Sequence, residues 1–380
     1  MRRFRSSGWV LLCLCVMVGP VLGYEGKLGA NLLDEPVLRR VNLRTVWEAR
    51  LPRFADGATV EYLHRLGDEL YCMFTDGRVQ VLDVESGVLK WGGPIGVVKE
   101  QVSRPASWED AVVFAVGSEL RFFERGHGER IRSFDHTAPI TATPLVYEQY
   151  IYFGALDQRF HAFFPEQNRI LWQGIGDKGA YSRPAAAANQ VFFAMGSGRV
   201  VSSRPGDRGQ LWEFQCGGPV LAPLSATSKL LVVPCTDYVL YGLDAASGNL
   251  KWKVLAGAPL EEKALITDHS VYAATMGEGL YAVDPQSGAV RWRFPGATQM
   301  LAEDLEANRV FIVSDEKYIM SVDIVTGQRY DAFSRHKLRH FASNARDGYI
   351  LAATDDGRVI CLLPDHNPPF TAPETLATGQ

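Results

Sequence analysis

Asp244-Ala-Ala-Ser-Gly-Asn-Leu-Lys-Trp252 is followed by Asp284-Pro-Gln-Ser-Gly-Ala-Val-Arg-Trp292, and Asp83-Val-Glu-Ser-Gly-Val-Leu-Lys-Trp91 stands earlier in the chain. Trp172, Trp212, Trp252 and Trp292 are spaced by 40 residues. A fixed period of this length is the mark of a repeat architecture, in which each unit buries its apolar face against its neighbours.

Each unit reads in one order. An apolar stretch that often carries proline, as in Ser182-Arg-Pro184 and Leu221-Ala-Pro223, precedes an alternating segment such as Val191-Phe-Phe-Ala-Met195. A Gly/Asp turn follows, as at Thr75-Asp-Gly77 and Asp355-Asp-Gly357, then a second alternating segment, the Asp-x-x-Ser/Thr-Gly turn and the strand that bears Trp. Period-two apolarity between closely spaced turn signals reads as strands, and four short antiparallel strands repeated radially make a β-propeller. We name the strands of a blade A to D from the centre outward.

The hairpin between strands B and C recurs eight times, near Thr75, Gly117, Leu156, Gly196, Cys235, Gly277, Ser314 and Thr354. The aromatic of strand D is read at Trp47, Trp91, Phe134, Trp172, Trp212, Trp252, Trp292 and Phe333. Trp47 precedes every hairpin and the last hairpin has no strand D after it, so residues 46–50 are expected to complete the final blade. That predicts an all-β, eight-bladed propeller over residues 45–363; seven blades is the alternative, because blades two and seven depart most from the pattern.

In the turn phrase, Asp favours an Asx turn and Gly supplies a positive φ. Trp91, Trp172, Trp212, Trp252 and Trp292 are expected to dock blade against blade, with the indole N–H meeting a carbonyl. Capping accounts for Asp83, Asp244, Asp284 and Asp323 better than calcium binding does.

The phrase G-x-[LV]-x-x-[LV]-D-x-x-[ST]-G-x-x-x-W, read at Gly77 to Trp91 and with variation at Tyr238 to Trp252 and Gly279 to Trp292, resembles the repeat of the pyrroloquinoline-quinone-like propellers. That resemblance spans nearly all of residues 45–363. Its members include long quinoprotein dehydrogenases and non-catalytic propellers of the outer-membrane assembly factor BamB type. The dehydrogenases carry adjacent cysteines over the cofactor and long blade insertions, which this chain lacks. The resemblance therefore implies a non-catalytic scaffold, WD40-like in outline, without a cofactor and with an envelope or outer-membrane assembly protein as partner. The alternative is a propeller that binds a small molecule or quinone in a redox role. BamB-type proteins are lipid-anchored, whereas Cys13 and Cys15 here lie inside an apolar run.

Arg2, Arg3 and Arg5 before the apolar run Val10 to Val18 read as a signal peptide over residues 1–23, cleaved after Gly23, with an uncleaved anchor as the alternative. The chain is thus expected to be exported to the periplasm or beyond, to span no membrane once processed, and to be monomeric. Residues 24–44 read as a lead-in and residues 364–380 as a disordered tail. A net charge of −4 and a pI near 6.1 argue against a nucleic-acid partner.

Two constellations remain. Cys216 and Cys235 fall at one rim of a blade and are expected to form a disulfide, while Cys72 and Cys361 are read as separate core thiols. Arg104, Arg183 and Lys263 precede strand A in blades two, four and six, and Arg339 lies close to the equivalent point in blade eight. Long cations converging on the channel mouth could hold a carboxylate, a phosphate or an acidic loop. Pairing with the acidic B–C turns is the competing expectation. His336 and His340 stand four apart, but in a loop, and are not expected to bind metal. No nucleophile elbow, phosphate loop or dinucleotide motif is found.

Overall fold

The computed structural model describes residues 32–52, 57–98, 100–179, 181–345 and 347–366. The expected signal peptide and all but the first residues of the expected tail lie outside them. Eight four-stranded antiparallel sheets follow one another along the chain. Seven are continuous, over residues 60–94, 106–135, 145–175, 185–215, 225–255, 265–294 and 297–334. Blade eight takes three strands from residues 338–364, and its outer strand is Leu43–Arg50, paired antiparallel to Arg358–Pro364. The ring therefore closes as the repeat arithmetic requires. A strands of successive blades neighbour one another, so they surround the central channel.

Each pair of adjacent blades encloses one apolar layer. Leu231, Val233 and Tyr241 of blade five meet Phe192, Val200 and Trp212 of blade four, and similar clusters fill the remaining seams. Strands B and C are buried on both faces, which is why they read as nearly continuous apolar runs while strand D alternates.

The turn phrase does the docking. Asp83 Oδ1 accepts from the Ser86 N–H at 2.8 Å and the Ser86 hydroxyl at 2.6 Å, and Asp244, Asp284 and Asp323 repeat the motif. The Ser287 N–H and the Arg291 guanidinium hold the Asp284 carboxyl well below the usual carboxylate range. At Asp323 burial opposes ionisation, yet hydrogen bonds from Tyr330 and Thr326 outweigh it and hold the carboxyl at about 2. The glycine that follows has φ near +70° and lies bare against the previous blade's indole. A β-carbon at Gly87, Gly128, Gly248, Gly288 or Gly327 would overlap Trp47, Trp91, Trp212, Trp252 or Trp292. The indole N–H then donates to the residue after the turn aspartate: Trp47 to Val84, Trp212 to Ala245, Trp252 to Pro285 and Trp292 to Ile324, at 2.8 to 3.2 Å. Trp91 and Trp172 dock without that bond.

A bulge in every C–D pairing sets the indole's position. That register corrects the reading of blades two and seven. The slot holds Arg132 opposite Phe122 and Asp331 opposite Ser321, with Phe134 and Phe333 two residues further on. Arg132 reproduces the tryptophan's work. Its flat guanidinium lies 4.8 Å over Trp108 and 4.5 Å over Phe122, and its Nη1 donates to the Pro165 carbonyl at 2.8 Å.

The lead-in packs on the ring. A short helix, Glu35–Arg40, and its flanks bury Leu33, Leu38, Val41 and Leu43 against Leu301, Phe311, Phe333 and Leu338 across the seam of blades seven and eight. The first residues of the expected tail are also held: Asp365 N–H donates to Asn42 O at 3.1 Å, and His366 meets the buried Asp304. Residues 364–366 are thus held on the ring, and the rest of the expected tail lies outside the described residues.

Candidate functional site

Strand A is the innermost strand, and the segment leading into it runs beside the B–C turn at one mouth of the channel. Gly117 N–H donates to Gln101 O, and Leu156 N–H to Pro139 O, across these two elements. The A–B pairings place Arg104, Arg183 and Lys263 at one position of three A strands: each lies two residues before the residue that faces Val113, Phe192 or Tyr272. Thr143 and Pro223 hold that position in blades three and five. Cations thus occupy every second blade from two to six.

The three act on one another electrostatically at the channel mouth. Arg183 and Lys263 feel the charge of Arg104, and His64, on strand A of blade one, feels all three. Arg104 and Lys263 are both open to solvent at the channel, although protein surrounds Lys263 on most other sides. Loss of bulk hydration, reinforced by Arg183 and Arg104, lowers Lys263 to about 8. Burial and then Arg104 lower Arg183 to about 10, and burial with the three cations holds His64 neutral at about 3. Arg104 stacks 5.9 Å over Tyr62, whose hydroxyl donates to Ser103 O at 2.9 Å. Beside it opens a cavity of about 230 Å³ lined by Tyr62, Gln101, Ser103, Thr141 and Thr143.

Among the described residues none of the three cations forms an ion pair, and Arg183 Nε has no hydrogen-bond partner. The acidic turns do not reach inward to neutralise them. Glu119 is held by Arg121, Asp157 by His161, Asp237 by Tyr241, Glu278 by Arg293 and Asp355 by His340, each within its own blade. The competing expectation of pairing with the acidic tips is therefore set aside.

Arg339 does not join the cluster. A bulge between Leu338 and His340 shifts the register, so that His340 takes the position of Arg183. Arg339 turns back instead to the carbonyls of His336 and Leu338. His336 sits in a turn with φ 47° while His340 Nε2 meets Asp355 at 2.8 Å, so the two do not converge.

Cys216 and Cys235 are neighbours at the rim, as their strands required, but they are free thiols and the expected disulfide is not formed. Cys216 hydrogen-bonds to Cys235, which together with burial raises its pKa. The Cys235 thiol lies 3.2 Å from Gly218 O and 3.4 Å from Pro219 O. Cys72 and Cys361 are buried thiols in the seam of blades eight and one. Among the described residues no helix is long and apolar enough to cross a membrane.

The sequence profile of the outer membrane protein assembly factor BamB matches the chain over residues 38–174 and 158–366. No curated protein matches it. Among solved structures it is similar to BamB from Moraxella catarrhalis, with a TM-score of 0.68, 14% identity, and coverage of 86% of this chain and 99% of that one. A computationally designed protein, Ika8, gives a TM-score of 0.65 at 16% identity, covering 80% of this chain and 96% of that one. The C-terminal WD40 domain of Sif2 gives 0.61 at 10% identity, covering 84% and 98%. At these identities the structural likenesses show the fold alone.

Proposed function

The chain belongs to the family of the outer membrane protein assembly factor BamB, and on that premise we propose that it is an exported, non-catalytic propeller of the cell envelope. In this reading it holds an acidic segment of an outer-membrane assembly protein at its channel mouth. One observation carries the reading: among the described residues Arg104, Arg183 and Lys263 act on one another without an ion pair, while Glu119, Glu278 and Asp355 of the acidic turns are satisfied within their own blades. Three cations so placed repel one another and lose hydration, a cost that a bound anion would offset by charge-assisted hydrogen bonds. Short loops give the protein little else with which to enclose a substrate, whereas a rim of turns around a basic mouth suits a protein segment. Export fits the positive-then-apolar start of the sequence.

The same cations favour a second reading, a carboxylate-bearing small molecule such as a quinone. The fit to the quinone site of the related dehydrogenases is poor. Cys216 and Cys235 are neighbours in space but not adjacent in sequence, and no carboxylate joins the cationic cluster among the described residues.

Mild cross-linking of the full chain in its own envelope extract tests both. The wild type is expected to recover an outer-membrane assembly protein, and a variant carrying Arg104→Glu, Arg183→Glu and Lys263→Glu, folded by circular dichroism, is expected to lose it. Recovery unchanged in the variant would remove the channel mouth from the interface. A small molecule released on denaturation, with no protein recovered, would favour the second reading.

A further inference from the structure

The 40-residue period and the cationic mouth leave one cluster unused. Strand C of blade three carries His161, the B–C turn before it carries Asp157, and the connection from blade two carries His136. One ligand atom from each lies within 4.8 Å of the others. His161 Nε2 sits 3.2 and 3.1 Å from the two Asp157 oxygens, and the two imidazoles cross edge to face with centroids 4.3 Å apart.

The surroundings hold these groups in place. Phe153 stacks on His161 at 5.2 Å and meets His136 edge-on at 5.4 Å. His136 N–H donates to Ser118 O, fixing the backbone of the connection. Its Nδ1 lies 2.8 Å from the Ala138 carbonyl and 3.1 Å from the Ala138 N–H, contacts that fix the ring beside His161. His161 is almost wholly buried, and its Nδ1 has no hydrogen-bond partner, so one nitrogen faces a carboxylate and the other is committed to nothing. An uncommitted imidazole nitrogen in the interior is an uncommon arrangement for a purely structural residue.

We propose that His136, Asp157 and His161 bind a divalent cation of the borderline class, of which Zn²⁺ is the representative. Two imidazoles and one carboxylate suit such ions, whereas Ca²⁺ and Mg²⁺ take oxygen sets. The cluster borders a cavity of about 450 Å³ that also touches Asp135, Arg159, Trp172 and Gln173. Three protein ligands facing such a cavity leave a coordination position for water or for a donor atom from a bound molecule. The binding is independent of the channel cations, none of which lies in blade three or lines this cavity.

The test is titration of the full chain, purified without a histidine tag and dialysed against chelator, with Zn²⁺ by isothermal calorimetry. One equivalent per chain is expected, with Ca²⁺ and Mg²⁺ failing to compete. Asp157→Asn and His136→Gln, both at groups with access to solvent, are each expected to weaken binding at least about 10-fold while far-UV dichroism stays unchanged. His127→Gln serves as control, since His127 and Glu124 form a similar pair on the open surface, and it is expected to leave binding intact. No stoichiometric uptake, or uptake that survives both variants or vanishes in the control, would overturn the assignment.

Discussion

The seams between blades and the central channel treat charge in opposite ways. At the seam of blades one and two, Glu69 is wholly buried and fully engaged. It takes Lys90 at 2.7 Å, Arg125 Nε at 2.9 Å and the Tyr71 hydroxyl at 2.6 Å. Across the closure of blades eight and one, Arg65 holds Asp347 through two bonds of 2.6 Å. In the channel, Arg104, Arg183 and Lys263 feel one another's charge and, among the described residues, none has an ion pair. The difference teaches that the seams neutralise their buried charges within the fold, whereas the channel cations are left without an ion pair among the described residues.

Variants can break this contrast at its strong end first. Trp252→Ala would empty a seam and orphan the Pro285 carbonyl, and is expected to cost about 3–5 kcal/mol in a denaturant melt. Glu69→Ala would strand two cations and a buried hydroxyl, and about 3 kcal/mol is expected by the same measurement. Mild oxidation with diamide should link Cys216 to Cys235 but not Cys72 to Cys361, with peptide mapping as the readout. It would add at most about 3 kcal/mol, because the closed loop is short. Arg183→Met has the opposite sign from the seam variants. Relieving repulsion among desolvated cations should raise stability by on the order of 1 kcal/mol, and a loss of stability would show that the cluster is a structural part of the ring.

The smallest effect is in pH, because solvent screening at the exposed Lys263 cuts what its shift can contribute. Folded Lys263 releases its proton near 8, whereas an unfolded lysine does so near about 10.4. Between those values the unfolded chain carries more protons, so stability should climb as pH rises from about 8 to about 10.4. Thermal melts of the wild type should show that climb, and Lys263→Met should flatten it.

Sequence and structure agree where one physical rule repeats. The turn Asp, the positive-φ Gly and the Trp recur because every seam poses the same packing problem, and the closure by residues 46–50 follows from counting. Reading failed where a bulge moved the register. Aromatics were sought in blades two and seven, whereas the slot is held by Arg132 and Asp331. A bulge in blade eight likewise put His340 where Arg339 was expected. Channel geometry was legible only as a position before strand A; that the acidic turns would be consumed within their own blades was not. The group of His136, Asp157 and His161 was invisible because it spans a blade boundary, and each member alone resembles an ordinary turn or strand residue.

The outer strand of blade eight has a consequence in time. Glu48 and Arg358 meet across it although 310 residues separate them, so a strand made before blade one finds its place only after the rest of the ring. Contacts of such separation form slowly. Until the chain has been delivered as far as residue 364, Leu43–Arg50 and the edge it will cover are both open to pairing with another molecule. Nascent chains held close together could then exchange that strand, giving linked rings instead of single ones.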